Sequence, residues 1–150
     1  MTHIITYRWV RWALALGWTA IITVFLLQSS GEPVVGPAAP PGEPGLLREL
    51  ELTAGHIIGF GGLTLAWWWA LHGVLRPGVA LLATIGFSIS YGVFTEVMQI
   101  NIPDRNASWW DIFVNAGVTV LVAGVIWWWG REREAQREAE STPENAPSAE

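Results

Sequence analysis

The chain has 150 residues, of which 51% are hydrophobic and 14% are charged, and its mean hydropathy is +0.35. A soluble domain carries about 25% charged residues, so this composition indicates an integral membrane protein that forms one domain. The absence of cysteine excludes disulfides and thiolate chemistry. The formal charge of −5 comes largely from one loop and the C-terminal tail, and we expect no nucleic-acid partner.

Four apolar runs are long enough to cross a bilayer as helices, which takes about 20 residues each. The runs lie at about 9–27, 52–75, 79–102 and 109–129. We therefore predict an all-α fold, a four-helix transmembrane bundle within residues 1–130. Its first connection, 28–51, is rich in Pro and Gly and closes with a short amphipathic stretch near 46–52. In the second run, Gly55 and Gly59 form a small-xxx-small pair that would let this span approach a neighbour closely.

The distribution of arginine predicts how the spans are oriented, because Lys and Arg are retained on the cytoplasmic side. Arginines flank the start of the first span and follow the second and fourth spans, at Arg8, Arg11, Arg76, Arg131, Arg133 and Arg137. We therefore expect both termini in the cytoplasm and the loops 28–51 and 103–108 outside. The first run is too long for a usual signal peptide. The acidic tail, 131–150, should extend the last helix by one or two turns and then become disordered.

Six polar side chains should lie at one depth, near the outer ends of the second, third and fourth spans. Glu96 and Gln99 are three residues apart, and Asp111 and Asn115 are four apart, so each pair shares one helix face. A polar face within hydrocarbon must point toward the other helices, because an ionised group that faces lipid is costly. The sequence therefore predicts a polar pocket in the outer leaflet, formed by His56, Glu96, Gln99, Arg105, Asp111 and Asn115.

A purely structural role is also open for these side chains. Asp111 follows Ser108 in a pattern that resembles a capping box at the start of the fourth span. Glu96 is the hardest to explain in this way, because carboxylates within a membrane are functional by default. The remaining structural roles are interhelical hydrogen bonding for Asn115, the anchoring of an interface for Gln99, a loop ion pair with Asp104 for Arg105, and a buried core position for His56.

The predicted pocket suits a ligand that combines an anionic group with amides or hydroxyls, such as a membrane lipid headgroup or a lipid-linked cell-wall precursor. Arg105 can bind a phosphate or carboxylate through two hydrogen bonds, and the start of the fourth span offers backbone N–H groups. Alternatively, His56 and Glu96 could be the acid and base of a hydrolase or transferase, although no nucleophile is evident. We expect no cofactor and no metal, since no ligand motif such as H-E-x-x-H supports one.

The polar residues form an ordered pattern along the chain: His56, then Glu96-x-x-Gln99, Arg105, Asp111-x-x-x-Asn115 and Gly117. This pattern resembles the VanZ-like family of bacterial membrane proteins over roughly residues 50–125. In that family the glycine follows the asparagine by three positions, whereas here it follows by two. The resemblance implies a cell-envelope protein of the bacterial plasma membrane. The family's namesake is linked to resistance to the glycopeptide antibiotic teicoplanin, so the resemblance also implies a link to that resistance.

Overall fold

A computed structural model of the protein describes residues 2–27, 46–102 and 108–141, and the described residues confirm the predicted all-helical fold. Its helices, in chain order, are α1 (Thr2–Leu27), α2 (Leu46–His72), α3 (Pro77–Gln99) and α4 (Trp109–Ser141).

Three helices extend further than the sequence predicted. α1 begins at Thr2 instead of near residue 9. The stretch near 46–52 belongs to α2 itself, because that helix begins at Leu46. Past Arg131, α4 continues to Ser141, which is more than the expected one or two turns. Residues 142–150 lie outside the described residues, so the predicted disorder of the tail stays a prediction there. α3 begins at Pro77, two residues before the predicted span, directly after the extended residue Arg76.

Three of the four helices are long and apolar enough to cross a membrane, which indicates a membrane protein. The three candidate spans are Arg8–Leu27 in α1, Pro77–Gln99 in α3 and Trp109–Ser141 in α4. α2 is long enough but is not among these candidate spans, and its sequence includes His56 and several glycines. Both α2 and α3 contact all three other helices.

Helices that follow one another in the chain run antiparallel. At one end of the molecule, the Arg11 guanidinium donates to the Trp69 carbonyl over 3.4 Å. Further along, the Trp18 indole N–H donates to the Gly59 carbonyl over 2.9 Å, so α1 and α2 run in opposite directions. The same alternation brings the end of α1, the start of α2, the end of α3 and the start of α4 to the opposite end of the molecule.

The interior of the helix packing combines small and polar residues with one apolar cluster, and the outside is apolar. On α3, Ala80, Thr84, Ser88 and Gly92 are buried at every fourth position. On the opposite face of the same helix, Leu82 is 72% exposed. Soluble proteins bury their large apolar side chains, whereas here such residues on every helix face outward. A large exposed apolar surface around an interior with many buried polar side chains fits a lipid environment.

The close approach between α1 and α2 occurs at a different glycine from the predicted pair. A Cβ at Gly55 would meet no atom within 4 Å, and one at Gly59 would make an ordinary 3.5 Å contact with Ile22. At Gly62, however, a Cβ would lie 2.5 Å from the Trp18 ring. The indole of Trp18 lies across this helix to reach the Gly59 carbonyl, so Gly62 is the position that requires the absence of a side chain.

Candidate functional site

Three helices deliver polar side chains to one buried cluster near the end of the molecule where α2 and α4 begin. His56 comes from α2, Glu96 from the last turn of α3, and Asp111 and Asn115 from the first two turns of α4. His56 and Glu96 are each 3% exposed and Asn115 is 1% exposed. The Asp111 side chain is the most accessible of the four, at 26%. The predicted convergence of these four residues is therefore present in the structure.

His56 connects α2 to α4 through both of its ring nitrogens. Its Nδ1 lies 3.0 Å from Oδ1 of Asn115, and its Nε2 lies 3.9 Å from Oδ2 of Asp111. An amide oxygen only accepts hydrogen bonds, so the Nδ1–H of His56 is the donor. The ring also stacks on Phe60, one turn further along α2, with 6.3 Å between centroids and 6° between planes. Both interactions fix the orientation of the imidazole and direct Nε2 toward Asp111.

Glu96 binds the residue that caps α4. The Ser108 backbone N–H donates to Oε2 of Glu96 over 3.3 Å, and the Ser108 hydroxyl accepts from the Trp110 N–H over 3.2 Å. Ser108 therefore caps the helix through the N–H of its second residue, whereas in the predicted capping box the hydroxyl accepts from the third. In the reciprocal half, Asp111 would accept from the Ser108 N–H. Glu96 takes that hydrogen bond, and Asp111 lies beside His56 instead.

His56, Glu96 and Asp111 each place one potential ligand atom within 4.8 Å of the others. The sequence predicted no metal site because these residues are far apart in the chain and follow no short ligand spacing. The fold brings them together from three helices. Nitrogen and carboxylate oxygen are both common metal ligands, and an imidazole beside a carboxylate is also a common acid–base pair.

The remaining two residues predicted for the site are Gln99 and Arg105. Gln99 is 1% exposed, but its amide nitrogen donates to the Leu26 carbonyl over 2.9 Å. That carbonyl is in the last turn of α1, where backbone oxygens lack a partner within the helix. Gln99 therefore ties α3 to the end of α1, which matches its structural interpretation. Arg105 lies outside the described residues.

Below the cluster, three hydroxyl groups from three helices meet in the interior. The hydroxyl of Thr64 lies 3.5 Å from that of Ser88 and 3.5 Å from that of Thr119, and all three residues are fully buried. Thr64 was not among the site residues predicted from the sequence. Thr64 lies eight residues after His56, which places both on the same face of α2. This spacing is the feature of the sequence that could have identified it.

Close helix packing holds Asn115 in place, but part of its amide group lacks a partner. A Cβ at Gly92 of α3 would lie 3.4 Å from the Asn115 Cβ and 3.2 Å from the Phe60 ring, so the small residue brings three helices together here. Asn115 Oδ1 binds His56, whereas its buried Nδ2 makes no hydrogen bond to the described part of the chain. Buried polar groups nearly always have a partner, so this donor is one of the exceptions that require an explanation.

No protein-family model matches this chain, and no curated protein or solved structure does so either.

Proposed function

We propose that this chain is an integral protein of the bacterial plasma membrane that recognises an anionic lipid or a lipid-linked cell-wall group. In this proposal all four helices cross the membrane, and both termini are cytoplasmic. The polar cluster then lies in the outer leaflet, where such lipids present their headgroups. Membership of the VanZ-like family, with its link to teicoplanin-type resistance, belongs to the same proposal and is supported by the ordered motif from His56 to Gly117.

One observation carries the proposal: four polar residues from three helices converge in the interior of the helix packing, and three of them are almost fully buried. Helix packing in membranes needs occasional hydrogen bonds, but it does not need two carboxylates and an imidazole at one point. Carboxylates of Glu96 and Asp111 accept hydrogen bonds from hydroxyl or amide groups of a glycan or peptide. The anionic part of the ligand requires a cation nearby, and Arg105 is the candidate in the sequence.

A second candidate function is that of a hydrolase or transferase that acts on an envelope lipid. The supporting observation is that a His56 nitrogen and a Glu96 oxygen lie within 4.8 Å of each other. A proton can pass over that distance through one water molecule. If purified His56→Ala releases phosphate from a lipid-linked diphosphate at the wild-type rate, this acid–base role is wrong.

Native mass spectrometry of the protein, purified from bacterial membranes in mild detergent, tests the recognition proposal. We expect a bound lipid of defined mass on the wild type and its loss in Glu96→Gln and Arg105→Ala. Glu134→Gln, the same chemical change at an exposed position of α4, should keep the lipid. Bare protein in all four samples, with lower thermal stability in the two site variants, would contradict recognition and favour a structural role.

A further inference from the structure

We propose that His56, Glu96 and Asp111 bind one divalent metal ion, of the kind that accepts mixed nitrogen and oxygen ligands, such as Zn²⁺ or Mn²⁺. Each residue offers a ligand atom, and these atoms lie within 4.8 Å of one another. Imidazole favours Zn²⁺ and related metals, while carboxylates also suit Mn²⁺. Three protein ligands leave coordination positions open, as in metal sites that bind an exogenous group.

The hydrogen bond of His56 to Asn115 prepares the imidazole for this role. Ligating histidines almost always donate their second ring N–H to an oxygen acceptor, which fixes both the tautomer and the ring orientation. Here Nδ1 donates to Asn115 Oδ1 at 3.0 Å, so the lone pair of the neutral ring is on Nε2. That nitrogen is the one that lies 3.9 Å from the Asp111 carboxylate. Asn115 is thus a positioning residue for the proposed ligand.

The ligand atoms must move closer together when the metal binds. Bonds of about 2.1 Å in a tetrahedral site place ligand atoms about 3.4 Å apart, whereas these atoms are separated by up to 4.8 Å. Asp111 is the member with freedom to make this movement, because its side chain is 26% exposed. The same exposure gives the ion a route into the site. The buried His56 and Glu96 then supply the fixed part of the site.

The unpartnered amide nitrogen of Asn115 is a second, independent indication of a ligand. It is a buried hydrogen-bond donor next to the cluster, and it lacks an acceptor in the described part of the chain. An oxygen atom bound to the metal would accept this hydrogen bond, whether it belongs to water or to a phosphate. The phosphate alternative rests on the proposed function, because the metal would then connect two carboxylates to an anionic headgroup.

Metal uptake by the full-length protein in detergent tests the proposed site directly. The protein is first treated with EDTA, and the chelator is removed. Zn²⁺ or Mn²⁺ alone is then titrated, and the amount of bound metal per protein is measured by elemental mass spectrometry. We expect one equivalent on the wild type and at least about tenfold weaker binding in His56→Ala, Glu96→Gln and Asp111→Asn. His72→Ala is the matched control, since His72 is an exposed histidine at the other end of α2.

Two outcomes would overturn the site: no bound equivalent on the wild type, or equal uptake by the wild type and all three ligand variants. Asp111→Asn keeps the assay informative if His56→Ala does not fold, because Asp111 is partly exposed and asparagine has the same shape. Inorganic phosphate forms a second arm. If phosphate tightens metal binding, the bound metal also binds an anion. If phosphate has no effect while the metal still binds, the metal site is supported, but the proposal that the metal binds a phosphate group is wrong.

Discussion

The backbone N–H of Ser108 donates a hydrogen bond to the Glu96 carboxylate, and this contact joins the last turn of α3 to the first turn of α4. It also separates the roles of the two acidic residues in the cluster. Glu96 satisfies the N–H of the helix-capping residue, so the carboxylate of Asp111 is directed to His56. An ordinary capping box would have used Asp111 for the cap and left His56 without an acidic neighbour on α4.

Substitution of Glu96 should therefore lower the stability of the fold, and the loss should be larger when the new side chain has no hydrogen-bond acceptor. Glu96→Ala removes the acceptor of the Ser108 N–H and should lower the free energy of unfolding by about 1–3 kcal/mol. Glu96→Gln keeps a carbonyl oxygen in that place, so its loss should be smaller. Thermal unfolding in the presence of EDTA, monitored by circular dichroism, should give melting temperatures that decrease from the wild type to Glu96→Gln and then to Glu96→Ala. Equal melting temperatures for wild type and Glu96→Ala would show that the contact does not stabilise the fold.

Asn115→Ala should weaken metal binding although Asn115 is not itself a proposed ligand. The substitution removes the acceptor that holds His56 in its orientation, and loss of such a partner typically costs about 10- to 100-fold in metal affinity. Asn101→Ala, at an exposed position just after the end of α3, should bind metal as the wild type does. Metal titration of the three proteins checks the difference. Wild-type affinity in a folded Asn115→Ala protein would mean that the imidazole does not depend on this hydrogen bond.

Gln99→Ala should destabilise the protein without any effect on the metal or lipid. Its amide caps the Leu26 carbonyl at the end of α1, so the variant loses a buried hydrogen bond that contributes about 0.5–1.5 kcal/mol. Gln136→Ala, the same change on the exposed end of α4, should leave the melting temperature unaltered. If Gln99→Ala instead keeps its stability and loses the bound ligand, then the residue belongs to the recognition site as the sequence analysis predicted.

The contrast between Gln99 and Asn115 shows how far sequence reasoning can reach. Helix periodicity and the alternation of spans place both side chains at one end of the molecule and on inward-facing surfaces. Periodicity does not say which neighbouring helix each side chain meets, because that depends on rotation about the helix axis. Gln99 meets α1, whereas Asn115 meets α2.

The same limit explains why the close approach of the helices was predicted at other glycines and why the sequence predicted no metal site. The small-xxx-small pattern pointed to Gly55 and Gly59, but the close contact is set by the Trp18 indole, which crosses α2 at Gly62. Sequence spacing alone gave no ligand motif for a metal, since its three proposed ligands come from separate helices. Only the packed arrangement of those helices brings their ligand atoms within 4.8 Å.

The proposed orientation of the helices can be tested because the chain contains no cysteine. A single cysteine at Ser30, in the loop predicted to lie outside, should react with a membrane-impermeant maleimide in intact spheroplasts. A single cysteine at Ser141, at the end of α4, should react only after the membrane is permeabilised. The reverse labelling pattern would place the polar cluster at the cytoplasmic side and contradict the outer-leaflet proposal.

Gly62→Ala should be markedly destabilising, whereas Gly86→Ala should not. The new methyl group at Gly62 would lie 2.5 Å from the Trp18 ring, so the indole must move and lose its hydrogen bond to the Gly59 carbonyl. At Gly86 a Cβ would meet nothing within 4 Å, and alanine should be neutral or stabilise the helix by about 0.5–1 kcal/mol. If the packing between α1 and α2 is as described, thermal unfolding should give a lower melting temperature for Gly62→Ala and an unchanged or higher one for Gly86→Ala. A Gly62→Ala protein as stable as Gly86→Ala would mean that Trp18 does not lie across α2 at this position.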